Sequence, residues 1–300
     1  MRGILEADVP LADALRQLAI GLLDHGLAEG REHAAGDPAR RVESIRQIRK
    51  ATKTLRAFLP LVSQATTVEG LAGTLRLLSD AAGLLAPFRD RDAMLKTVDR
   101  LLAGREGARV DEARVLLQRI ATPTGDPLRD RPLEDLLVSK AVEILTRVRT
   151  CVESFRFEQV EPRFVARQLG RDWAHFRRVL RSDWAEGDSE ESHEVRKECG
   201  RLALQFGFLE ERKPKPFGPL RKALRDATAA LGDEHDLSML AENIALEQSR
   251  LPGGEFVDAA LGLCRKAREA LRNDGADAVA DLADVRSREI RRATLRALGG

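Results

Sequence analysis

Arg46, Arg49, Lys50, Lys53 and Arg56 place five cations within eleven residues, with no Asp or Glu among them. Guanidinium and ammonium groups donate charge-assisted hydrogen bonds to anionic oxygens, and arginine does so in a bidentate fork that suits phosphate. On a helix turning by about 100° per residue, Arg49, Lys53, Arg46 and Lys50 share one arc of about 100°, with Arg56 beside it. Ile48, Ala51, Leu55, Phe58 and Leu59 fall on the opposite side, and burial in a core accounts for that apolar face. The basic face has no such account. Like charges at i,i+4, as in Arg46/Lys50 and Arg49/Lys53, repel by a few tenths of a kcal/mol each, yet the chain has 48 acidic residues to interleave. The stripe is about 15 Å long, a length that fits an extended polyanion better than one phosphate.

A thinner stripe recurs downstream. His193, Arg196 and Lys197 share a face with Arg201 at its edge, and Val195, Leu202, Phe206 and Leu209 lie opposite. Glu194 and Glu198 flank this face, and Gly200 stands where the first stripe has Lys53. Arg76 and Lys222 occupy corresponding places, and Arg171, Arg177 and Arg178 lie beside Trp173 and His175. If two halves pack symmetrically, these positions line one shared basic groove. Otherwise the cations face solvent or pair with carboxylates elsewhere. Asp90 and Asp236 each follow an expected helix break. They either accept backbone N–H bonds at a helix start or hold a guanidinium or imidazole of their own half.

The elements that must position these residues are helical. In 300 residues, 33% are charged, 4% are aromatic and there is no tyrosine, a balance that disfavours all-β architectures. Segments with helical periodicity fall near 10–34, 38–59, 68–85, 89–103, 108–121 and 133–155. They continue near 161–183, 190–210, 217–231, 234–249, 254–272 and 283–297. Breaks are expected at 122–132, 186–189, 213–216, Gly232-Asp233, 252–254 and 273–275. The fold expected is all-α. Fifty Lys and Arg against 48 Asp and Glu leave a net charge of only +2, so a basic surface must come from segregated charge. Forty-one of the fifty are Arg; codon preference and bidentate phosphate contact both account for that. Three cysteines at unrelated spacings exclude a disulfide scaffold and fit a reduced, cytosolic protein. No apolar run reaches the roughly 20 residues that span a bilayer, and the acidic N-terminal stretch is unlike a secretory signal.

Ile45–Lys50 lies over Ser192–Lys197, and Leu85–Asp90 over Leu231–Asp236, at nearly one offset. Leu15–Leu18 over Ala166–Leu169 is a third match in the same order. This argues for a duplication, giving a single domain over 1–300 built from two pseudo-symmetric helical-bundle halves, about 1–155 and 156–300, around a basic groove.

At these residues the chain resembles the CHAD family, the conserved histidine α-helical domain. SerHisGluValArgLys at 192–197 and LeuGlyAspGluHisAspLeu at 231–237 carry the stronger match. GlnLeuGlyArgAspTrpAlaHisPheArgArg at 168–178, IleArgGlnIleArgLys at 45–50 and PheArgAspArgAsp at 88–92 extend it over most of the chain. The resemblance implies two four-helix-bundle halves around a basic surface for inorganic polyphosphate, and association with polyphosphate granules. Carried over by position, the phosphate-contacting set is Arg46, Arg49, Lys50, Lys53 and Arg56 with His193, Arg196 and Lys197. Two departures stand out: Arg46 replaces the first-repeat histidine, and Gly200 replaces an expected lysine, which puts the second half's binding strength in question. A polyanion beside His193 raises its pKa, so its contribution grows below about pH 7.

No GxxxxGK[ST], HExxH or GxSxG motif is present, and no catalytic residue or cofactor is expected. The enzyme alternative is a metal-dependent phosphohydrolase using His193, His235, Asp236 and Asp281; against it, the repeat equivalents of the two histidines are Arg46 and Arg89. Nucleic acid is the other alternative. Sequence-tolerant single-strand binders add stacking aromatics, and only Trp173 lies among the basic positions, which favours a phosphate chain without bases. The reading from sequence is a non-catalytic cytosolic binder of long-chain polyphosphate that does not engage membranes.

Overall fold

In a computed structural model, residues 5, 8–104, 108–121, 127–182, 184–185, 189–210, 212–247 and 254–299 are described. The side chains at 89–92, and with them the expected role of Asp90, lie outside the described residues. All regular elements described are helical. The first helices are α1 (Leu11–Ala35), α2 (Pro38–Phe58), α3 (Val68–Leu84), α4 (Ala86–Leu101), α5 (Ala108–Ala121) and α6 (Pro127–Glu153). Then come α7 (Pro162–Val179), α8 (Ser189–Leu209), α9 (Pro214–Leu246), α10 (Gly254–Val279) and α11 (Ser287–Ala297). Short 3-10 segments join α2 to α3 at Leu59–Ala65, α6 to α7 at Phe157–Gln159 and α10 to α11 at Ala280–Asp284. No helix among the described residues is long and apolar enough to cross a membrane.

Local chemistry sets the starts. Asp37 accepts the Arg40 N–H at 2.9 Å with Pro38 in the first turn of α2, satisfying a donor that would otherwise be orphaned. Thr67 does the same for Gly70 at the start of α3. Two expected breaks are absent: α9 runs unbroken through Gly232-Asp233, and α10 runs through 273–275. Gly275 serves close packing instead, whereas a Cβ on Gly232 would meet only an ordinary contact with Arg196. A Cβ on Gly275 would sit 2.9 Å from the Leu231 side chain, so its absence lets α10 close on Leu231 of α9. Asp236 is therefore inside a helix and buried, and it has no helix-start role.

Among the described residues two hydrophobic clusters form, and they do not follow the midpoint of the chain. The larger takes side chains from both ends, including Leu23, Leu55, Val148, Trp173, Phe206 and Leu231. Trp173 is fully buried, with Phe176 and Phe206 at 5.3 and 5.5 Å between ring centroids, and its indole N–H donates to the Val285 carbonyl at 2.8 Å. The smaller joins Met94 and Val98 of α4 and Leu117 of α5 to Leu237, Leu240 and Ile244 of α9 and Val257 and Cys264 of α10. So α4, while keeping contact with α2 and α3, packs together with α5 on α9 and α10. Helix α9 serves both clusters: its residues up to Leu231 belong to the first and those from Leu237 on to the second.

Phe206→Ala removes a fully buried ring at the centre of the aromatic cluster. It should cost about 3–5 kcal/mol in chemical denaturation, whereas exposed Lys50→Ala should change stability by less than about 0.5 kcal/mol.

Candidate polyanion-binding site

Helix α2 meets α8 at a point set by a glycine. The Lys53 ammonium lies 3.2 Å from where a Cβ on Gly200 would stand, and the Gln205 amide donates to the Ala57 carbonyl at 3.2 Å. Contacts advance from 53 to 57 on α2 as they advance from 200 to 205 on α8, so the two helices run parallel along this seam. Arg49 and Arg196, each one turn before the Lys53–Gly200 contact, therefore stand at the same level. Each also leans on the next helix of its own part of the chain. Arg49 donates through Nη1 to the Ala82 carbonyl of α3 at 3.0 Å, and the Arg196 guanidinium lies 3.7 Å from the Cβ position of Gly232 on α9. Gly200 is thus more than a missing cation: the space it leaves is taken by the ammonium of Lys53.

His193 continues this face toward α9, where its ring packs on His235 at 4.6 Å between centroids. Its buried Nδ1 has no hydrogen-bond partner among the described residues. Partial burial pushes its pKa below the ordinary histidine value of 6.5, and the nearby charges of His235, Arg196 and Lys197 push it the same way. Glu194 opposes them. In the free protein the ring is therefore neutral to lower pH than sequence alone suggested; a bound polyanion would have to overcome both burial and its cationic neighbours.

The other expected positions divide by their partners. Lys50, Arg56 and Arg76 are exposed with no carboxylate partner among the described residues. Three cations carry a carboxylate from their own helix: Arg46 is bidentate on Glu43 at 2.7 Å, Lys222 meets Asp226 at 2.7 Å, and Lys197 pairs with Glu194. The bonds from Arg46 and Gln47 hold the Glu43 carboxyl down to about 2, so the N-terminal end of the first stripe is partly neutralised. Arg201 turns inward between Asp172, at 2.7 Å, and Glu198; Asp172 in turn accepts from Gln168 and Gln205. That network ties α7 to α8 and, through Gln205, to α2. Arg177 is likewise used inside the fold, donating to the Ala283 carbonyl at 2.7 Å. Arg171 and Arg178 are exposed on α7, and Arg178 lies against His175, which gathers with Glu194 and Glu198 of α8. Sequence reasoning missed Asp172 and Gln205, whose polar side chains on otherwise apolar helix faces were the available signal.

Metal-capable side chains gather in two places among the described residues, His33 with Glu134 and Asp135, and His175 with Glu194 and Glu198. Neither includes His193, His235, Asp236 or Asp281. The first is crossed by Arg41, which bonds both carboxylates at 2.7 and 2.9 Å; in the second, both glutamates already pair with Lys197 and Arg201.

A titration of the His193 ring by NMR should give a midpoint below 6.5. Because the folded-state value is lowered, the contribution of this residue to stability is present above 6.5 and is lost as pH falls through the folded value. His235→Ala, which removes one neighbouring positive charge, should move the midpoint upward; an unchanged midpoint would leave the contact without electrostatic weight.

Comparison with curated proteins returned no match. Among solved structures, the chain is similar to the CHAD domain from the plant Ricinus communis, with a TM-score of 0.59 at 20% identity over 96% of both chains. That likeness shows a common all-α fold. The family model of the CHAD domain matches residues 21–245, a span that holds both basic stripes, the Arg201 network and the His193–His235 pair. The chain belongs to the CHAD family, which is known in general for binding polyphosphate.

Proposed function

We propose that this protein binds long-chain inorganic polyphosphate, without catalysis, along the joined faces of α2 and α8. The observation that carries the reading is Lys53 reaching over Gly200: two basic stripes far apart in sequence become neighbours, with Arg49 and Arg196 at one level. Lys50 and Arg56 extend the row on α2, while His193, Arg196 and Lys197 extend it on α8. Successive phosphates would take charge-assisted hydrogen bonds from these groups, and the two carboxylates that accompany Arg46 and Lys197 would be displaced or bridged. The rings of the α8 and α7 helices support a ligand without bases, since Trp173, Phe176 and Phe206 are fully buried and offer no stacking surface. The reading extends to a cytosolic protein gathered at polyphosphate granules.

Arg49→Glu combined with Lys53→Glu should lower affinity for long-chain polyphosphate by at least about a hundredfold in a filter-binding or calorimetric titration, with helicity by circular dichroism unchanged. Unaltered binding would remove this face from the reading. Affinity should also drop steeply between low and physiological salt, as counterion release requires. Single-stranded RNA supplied at equal phosphate concentration should fail to displace the chain; displacement would favour a nucleic-acid ligand.

A further inference from the structure

A second basic surface joins α7 to a helix that lies beyond the segment matched by the family model. Helix α11 begins at Ser287, well beyond residue 245, and packs on α7. The Arg291 stem crosses Gly170, where a Cβ would stand 2.4 Å from its Cγ. Trp173 and Arg177 of α7 bond the Val285 and Ala283 carbonyls just before α11. Rising numbers on α7 meet falling numbers on the other side, so the two helices are antiparallel and tied at three levels.

The exposed sides of this pair carry arginine at every turn. Arg163, Arg167 and Arg171 succeed one another at i,i+4 on α7; Arg288 and Arg292 do so on α11, with Arg291 between them. All six are exposed, and none has a carboxylate partner among the described residues. Elsewhere the molecule pairs its cations freely, as Arg286 with Glu289 at the start of the same helix α11 shows. Like-charge neighbours at this spacing cost a few tenths of a kcal/mol each, and six together on two clamped helices concentrate positive potential that attracts an anionic chain. The surface is also separate from the α2–α8 face. Between the two runs the α7–α8 seam is taken up internally: Glu194 pairs with Lys197, and the buried Asp172 and Glu198 hold Arg201.

We infer that the α7–α11 face is a second polyphosphate-binding surface, so that one molecule grips two chain segments and cross-links them. This rests on the polyphosphate reading above for the identity of the ligand. The occupant follows from charge without stacking: Trp173 and Phe176 are buried beneath the face, leaving guanidinium groups to meet phosphates directly. A molecule with two opposed or adjoining polyanion surfaces condenses long chains, because each additional protein joins segments that would otherwise repel.

The test compares the wild type, the triple variant Arg163→Glu/Arg167→Glu/Arg292→Glu, and the α2 double variant Arg49→Glu/Lys53→Glu, each checked for folding by circular dichroism. Calorimetry with short-chain polyphosphate, too short to reach across both faces, should give two chains per wild-type molecule and one for either variant. Light scattering with long-chain polyphosphate should rise with the wild type and stay near baseline with either variant. If the triple variant keeps two chains and full scattering, this inference is overturned and the α2–α8 reading stands. If the double variant keeps two chains, the α2–α8 reading falls instead. Loss of duplex DNA binding in the triple variant, with polyphosphate stoichiometry unchanged, would assign the face to nucleic acid and overturn the inference.

Discussion

Everything at the basic face depends on α2 and α8 being held together against the repulsion of their own cations. Lys53 and Arg49 on one helix and Arg196 and Lys197 on the other are brought to one side of the molecule by packing that takes place on the other side. Ile48, Leu55 and Phe58 of α2 and Val195, Leu202 and Phe206 of α8 are all essentially inaccessible to solvent. Each such side chain contributes on the order of 1.5–3 kcal/mol when removed from water, against tenths for each repulsive pair. The core wins by a wide margin, and the charge pattern is free to follow function.

The polar network behind the face refines this balance. Gln205 links the backbone of α2 to Asp172 of α7, and Asp172 holds Arg201 of α8. Three helices thus share one chain of donors and acceptors, in which the Arg201 guanidinium stands between the Asp172 and Glu198 carboxylates. Networks of this kind fix relative helix positions by directional bonds that apolar contact lacks, although Gln205 Oε1 takes no partner among the described residues. A cation placed there is a strut, whereas one placed a turn away, at Lys197 or Lys53, is at the surface and can meet a ligand.

Much of this was legible in the chain. The periodic segments came within a few residues of most helices because a buried stripe every 3.6 residues leaves a plain trace, and the basic face of α2 was visible because its apolar opposite was. What sequence could not show were partners across space. Gly232 and Asn273–Gly275 looked like helix breaks because glycine is a poor helix former, but α9 and α10 bury side chains in the clusters on both sides of these positions, which outweighs that preference. Arg201 looked equivalent to its neighbours, since nothing local distinguishes a guanidinium facing Asp172 from one facing water. Gly200 looked like a lost cation because the lysine that takes its place comes from 147 positions earlier in the chain. The arginines of α11 escaped notice since they repeat nothing in the first part of the chain.

Helix α9 is a rod of 33 residues, roughly 50 Å long, whose first part lies in one hydrophobic cluster and whose last part lies in the other. Neither cluster can come apart without loosening the rod that the other needs. Thermal melting should therefore be a single cooperative event across the molecule and not two, with amide protons deep in the smaller cluster exchanging only as fast as the whole protein opens. An anion held near α2 and α8 should then slow exchange in the smaller cluster as well, through mass action on a shared unfolding step.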